Sequence, residues 1–127
     1  MAVITLECKE VLDKTEWLAI GTSGENGVHL VGTWGSYIKS LGIEEEVFYI
    51  PVGGFNQTEQ DIKDNGKIEI LCASMDVQGT YEQGQGYRIK GNGKIITDGD
   101  KVLETKKLFP WARGVLVFEV ESMTALL

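Results

Sequence analysis

The sequence predicts a mainly β fold: a small antiparallel barrel of six or seven strands, with about three short helices over its gaps. Three observations carry this. Sixteen glycines against two prolines mark many tight turns rather than a disordered tract. The apolar runs are short and joined by turn-length segments, so hairpins dominate. Those runs do not alternate with long helical stretches, which argues against a doubly wound parallel sheet.

The elements follow in order. Ile4, Cys8, Val11 and Leu12 share one face at helical spacing, so residues 5–14 form a short helix. Trp17-Leu18-Ala19-Ile20-Gly21-Thr22 reads as a buried strand. Gly24-Glu25-Asn26-Gly27 is a hairpin turn, because Asn-Gly tolerates the positive φ of a type I′ turn. Val28 to Ile38 is the partner strand, apolar on both faces and therefore expected to be covered on both. Glu46 to Val52 is a strand broken by Gly53-Gly54. Asn56 with Glu59 reads as a capping box that opens a helix over roughly residues 57–65, with Gly66 at its C′ position. Lys67 to Ser74 is a strand, and residues 76–86 form a polar loop. Tyr87 to Thr97 is a strand bent or turned at Gly91-Asn92-Gly93. Asp100 to Leu108 is a helix stopped by Pro110, and Gly114 to Glu121 is the last strand.

At 127 residues the chain has the length of one domain, residues 1–127. Apolar residues make up 43% and charged residues 24%, a globular composition. Twelve basic against nineteen acidic side chains give a net charge of −7. That sign disfavours phosphate backbones and anionic bilayers as partners, yet permits one small anion in a local pocket. No apolar run approaches the ~20 residues of a membrane span. Cys8 and Cys72 have no CxxC spacing and read as reduced, mostly buried thiols. With no signal-peptide pattern at the start, they point to the cytoplasm.

The standard catalytic sets are missing from the sequence. His29 is the one histidine, too few for a metal site, and GxSxG, GxGxxG and GxxxxGK[ST] do not occur. Glu44-Glu45-Glu46 reads as a solvated turn. Pro51-Val52-Gly53-Gly54-Phe55-Asn56-Gln57-Thr58-Glu59 is more informative, because it joins a strand to a helix start. Free N–H groups, a partial positive charge and two glycines make such a junction an anion site in principle. An ordinary capped junction fits the same residues. Trp34, flanked by Gly32 and Gly35, and Trp111, after Pro110, either admit a flat ligand or fill the core.

Taken together, three segments form a recognisable ordered set. They are His29-Leu30-Val31-Gly32-Thr33-Trp34-Gly35-Ser36-Tyr37, then Pro51-Val52-Gly53-Gly54 with Thr58-Glu59, then Phe109-Pro110-Trp111-Ala112-Arg113. This set resembles the small FMN-binding split-barrel flavoproteins related to pyridoxamine 5′-phosphate oxidase. The resemblance runs over nearly the whole chain. It implies a six-stranded split β-barrel, a homodimer and one FMN per subunit. It implies that Gly53, Gly54 and Thr58 hold the FMN phosphate and ribityl region, in a segment that includes Val52 and Gln57. It also implies that Thr33, Trp34 and Tyr37 line the cofactor, that Trp111 sits near the isoalloxazine ring, and that Leu127 reaches the flavin of the neighbouring subunit.

Two positions depart from the family pattern. Gln57 stands where the family has Lys, and Gly32 where it has Asn. The first replaces a charge-assisted phosphate contact by a neutral one, with Arg88 and Lys90 as candidate substitute cations. The expected function is that of an FMN-binding flavoprotein, a small electron-transfer protein with a possible redox protein partner. The alternatives are a flavin-dependent oxidoreductase (an NAD(P)H:flavin reductase or a pyridoxamine-phosphate-oxidase-like enzyme) and a non-redox ligand-binding dimer that has lost FMN.

Overall fold

The computed structural model describes all 127 residues. Ten elements follow in chain order: α1 (Leu6–Lys14), β1 (Trp17–Gly24), β2 (Gly27–Trp34), α2 (Gly35–Leu41), β3 (Val47–Val52), α3 (Asn56–Asn65), β4 (Lys67–Gln78), β5 (Gln83–Ile96), α4 (Asp100–Leu108) and β6 (Gly114–Ala125). The six strands form one antiparallel sheet in the order β2-β1-β4-β5-β6-β3. This is a curled, split barrel.

The period of two along the strands builds the core. In β4, Ile68, Ile70 and Cys72 point inward while Lys67, Glu69 and Leu71 point out. Leu18 and Ile20 of β1, Ile89 of β5, and Phe48 and Phe118 of β3 and β6 meet them. The two Phe rings lie 4.9 Å apart. Helix α1 closes one side of this layer with Cys8, Val11 and Leu12, its N-terminus capped by Thr5 Oγ1 accepting from Cys8 N. A smaller core of Leu41, Val102 and Val115 lies under α4.

Five local expectations are corrected. The partner strand of the first hairpin ends at Trp34, and residues 35–41 coil into a fourth helix, α2. Gly35 explains the switch: a Cβ there would meet Thr15 O at 1.9 Å, so only glycine lets the chain turn this close to the α1–β1 corner. The hairpin turn is not type I′, because Asn26 keeps a negative φ and only Gly27 is positive, at 86°. The loop at 76–86 shrinks, because β4 and β5 run on to Gln78 and back from Gln83. Gly91-Asn92-Gly93 is no turn. β5 passes through it with a register shift against β6 between Lys90 and Gly91. The outer face of β2 is also open, with Val28 and Leu30 exposed.

Candidate functional site

The β3–α3 junction is built as a cradle. β3 ends at Val52, Gly53-Gly54 turn the chain, and Phe55 enters the left-handed region at φ 59°, ψ 34°. That conformation is costly for a residue with a side chain and clusters at functional sites. It also leaves α3 without a side-chain cap, so the expected Asn56–Glu59 capping box does not form and Asn56 is the first helical residue. Gly66 ends the helix in the left-handed conformation as expected, at φ 72°.

Arg113 fixes the orientation of the turn. Its Nε donates to Gly53 O at 2.8 Å and its Nη2 to Gly54 O at 2.7 Å, while Arg113 N donates to Val52 O. Nη2 also pairs with Glu59 Oε1 at 2.9 Å. Peptide bonds are trans and planar, so carbonyls held toward Arg113 turn the N–H groups of Gly54 and Phe55 the opposite way. The N–H groups of Gly54, Phe55, Gln57 and Thr58 find no acceptor within the chain. Thr58 Oγ1 is buried with no hydrogen-bond partner. Unmet donors at a helix start, beside a buried free hydroxyl, have the chemistry of a phosphate site.

Beside the cradle lies a cleft of about 270 Å³, lined by Trp17, Gly32, Thr33, Trp34, Tyr37, Pro51, Gly53, Gly54, Phe55 and Trp111. The segment after α4 brings in the aromatic wall. Tyr37 sits 4.8 Å from Phe109 and 5.7 Å from Trp111, centroid to centroid. Gly53 lies so close to Trp111 that an added Cβ would come within 3.0 Å of its ring. Trp34 and Trp111 are about half exposed, so neither fills the core.

The structure therefore brings Thr33, Trp34, Tyr37, Gly53, Gly54 and Trp111 to one cleft, with Thr58 in the adjoining first turn. Val52 joins through its backbone only, since its side chain is in the core. Gln57 is engaged elsewhere: Nε2 donates to Asp61 Oδ1 at 2.9 Å and Oε1 accepts from Asn26 Nδ2. Asp61 is buried and also accepts from Thr22 Oγ1 at 2.8 Å. Leu127 does not line this cleft; its N–H donates to Gln85 Oε1 and its carbonyl accepts from Thr80 N. Arg88 and Lys90 lie apart from this cleft, in a separate concavity of about 790 Å³ on the outer face of the sheet. The cation at the glycine pair is Arg113. Sequence reasoning missed Trp17 and the clamping role of Arg113.

The pattern of the family described as pyridoxamine 5′-phosphate oxidase matches residues 4–124. The chain belongs to this family. Its curated relatives include an FMN-binding protein of Nitratidesulfovibrio vulgaris, 39% identical over 113 residues, which are 89% of this chain and 90% of that protein. Among solved structures, HupZ of Group A Streptococcus superposes with a TM-score of 0.77 at 23% identity, over 97% of this chain and 94% of that one. An FMN-binding protein from Syntrophomonas wolfei superposes with a TM-score of 0.63 at 15% identity, over 94% and 88%. These two likenesses establish the family's fold in this chain.

Proposed function

We propose that residues 1–127 form one FMN-binding domain and that the protein is a small electron-transfer flavoprotein. The observation that carries this is the uncapped first turn of α3, with the unpartnered Thr58 hydroxyl, opening beside an aromatic cleft. The 39% identical relative is itself described as FMN-binding. In this reading Gly53, Gly54 and Thr58 hold the phosphate end through neutral donors and the helix N-terminus, and Arg113 keeps those donors aimed. Thr33, Trp34, Tyr37 and Trp111 line the ring and keep water from it. Val52 contributes backbone, and Gln57 braces α3 against the hairpin. When bound, the flavin supplies the redox chemistry, and the chain tunes it by packing and hydrogen bonding.

The carrier reading is favoured over an oxidase because the only ionisable side chain lining the cleft is Tyr37. A phosphorylated substrate would need a free cation, and Arg113 is already bound to two carbonyls and Glu59. The acidic surface suits docking to a basic redox partner. No helix is long and apolar enough to cross a membrane, and the two buried free thiols suit the reducing cytoplasm.

The functional unit in this proposal is a homodimer. Val28, Leu30, Leu71 and Leu126 are all exposed around the outer concavity. Such an apolar face suits burial against a second copy, and Leu127 adjoins it in sequence, ready to reach the neighbour's flavin. The direct test is an absorption spectrum of the purified protein, followed by acid release of the chromophore. A two-banded flavin spectrum with FMN released is expected. A colourless protein that does not quench added FMN fluorescence would overturn the reading.

A further inference from the structure

All three tryptophans of the chain line the one cleft, and each is about half exposed: Trp17 at 52%, Trp34 at 43% and Trp111 at 51%. Indoles bury more apolar area than most side chains, so three left half open around one small cleft form a surface suited to covering by a flat ring. Trp17 stands out because nothing in the resemblance assigns it a role. It opens β1 directly across from Trp34, which closes β2. The two rings meet edge to face, with centroids 4.8 Å apart and an interplanar angle of 74°.

Gly32 makes this arrangement possible. It lies two residues before Trp34 on the same face of β2. A Cβ at position 32 would fall 1.9 Å from Trp17 Cζ2, 2.3 Å from Cε2 and 2.7 Å from Nε1. The indole thus occupies the space that any side chain at 32 would need. The family pattern has Asn there. A side chain at 32 and the indole of Trp17 in its present position exclude one another.

We infer that Trp17 is a ligand-contacting residue of the cleft, and that Gly32 is glycine in order to seat it. This rests on the flavin reading. The exchange gives up one polar contact and adds an aromatic edge that braces Trp34 and widens the apolar wall. Its consequence is selective: Trp17 acts on the ring of a flavin, not on its phosphate.

The test is titration of the apo-protein with FMN and with riboflavin, read by quenching of flavin fluorescence. Trp17→Val is expected to weaken both ligands by the same factor, about three- to tenfold on the scale of single aromatic contacts, and to raise residual flavin fluorescence. Trp17→Phe recovers part of the loss. Gly32→Ala, which displaces the indole without removing it, gives a loss of the same kind. Valine is at home at a half-exposed strand end, so the fold persists, checked by thermal melting and light scattering. Unchanged affinity and quenching in Trp17→Val, a loss confined to FMN, or a loss that tracks dissociation of the protein would each overturn the inference. Those results leave the flavin reading standing if wild type binds FMN. Wild type that binds neither ligand takes down both.

Discussion

Thr58 is the residue on which the phosphate reading turns most sharply. Its hydroxyl is fully buried and unpartnered, which costs about 1–3 kcal/mol unless something meets it. Thr58→Val should therefore leave the fold as stable or more so, while weakening FMN and sparing riboflavin. Paired fluorescence titrations and a denaturant melt check this. The opposite holds at Asp61, whose carboxylate satisfies Thr22 and Gln57. Asp61→Ala strands a buried hydroxyl and should cost about 2 kcal/mol in chemical denaturation. Two buried thiols give a pH signature. Burial, helped by the neighbouring Cys72, pushes the Cys8 thiol up to about 12, and burial pushes Cys72 up to about 11, against 9.0 for a free thiol. The folded chain thus holds protons that the unfolded chain releases above pH 9. Stability is full below pH 9 and is lost as pH rises toward 11–12. Melting temperature should fall across that window, and neither thiol should react with a disulfide reagent at pH 8 before unfolding.

At the scale of elements, close approaches between backbones are what the glycines serve. Gly35 starts α2 with its Cα face against Thr15 O, and Thr15 in turn donates from Oγ1 to Val11 O at 2.6 Å. That corner locks α1, β1 and α2 together. Gly35→Ala forces a Cβ into a carbonyl and should destabilise by about 3 kcal/mol, visible as a lowered denaturation midpoint with unchanged slope. The same element logic explains why the hairpin carried Trp17 unseen. Paired residue numbers in a regular antiparallel hairpin keep a constant sum, so a turn closed by Gly24 and Gly27 sets Trp17 opposite Trp34. The signal was in the sequence. It was masked because the partner strand was extended to Ile38, past Trp34, so Trp34 did not stand out as the residue that closes the strand opposite Trp17.

At the scale of the whole molecule, the sheet has one face in the core and another carrying Val28, Leu30 and Leu71 to solvent. The proposed dimer would cover that face. Light scattering at micromolar concentration should report twice the chain mass, and Leu71→Glu should shift the protein to monomer. In the shared-pocket reading the same variant loses flavin affinity, because Leu127 of the neighbour is then withdrawn. A monomeric wild type that still binds FMN tightly would separate the cleft from the dimer.

Period-two runs, glycine punctuation and the helical spacing of Cys8, Val11 and Leu12 determined most of the elements, because local sterics and burial patterns act over a few residues. The glycine pair at 53–54 and the tryptophans were legible as candidates for the same reason. Tertiary structure alone decided the rest. It set Arg113, some sixty residues away in sequence, onto the carbonyls of Gly53 and Gly54. It carried Arg88 and Lys90 to the other face of the sheet. It also coiled residues 35–41, where strand and helix patterns compete over a short apolar run and Gly35 packs against the Thr15 carbonyl. Contacts between residues far apart in the chain are set by how layers close on one another, and no local period records that closure.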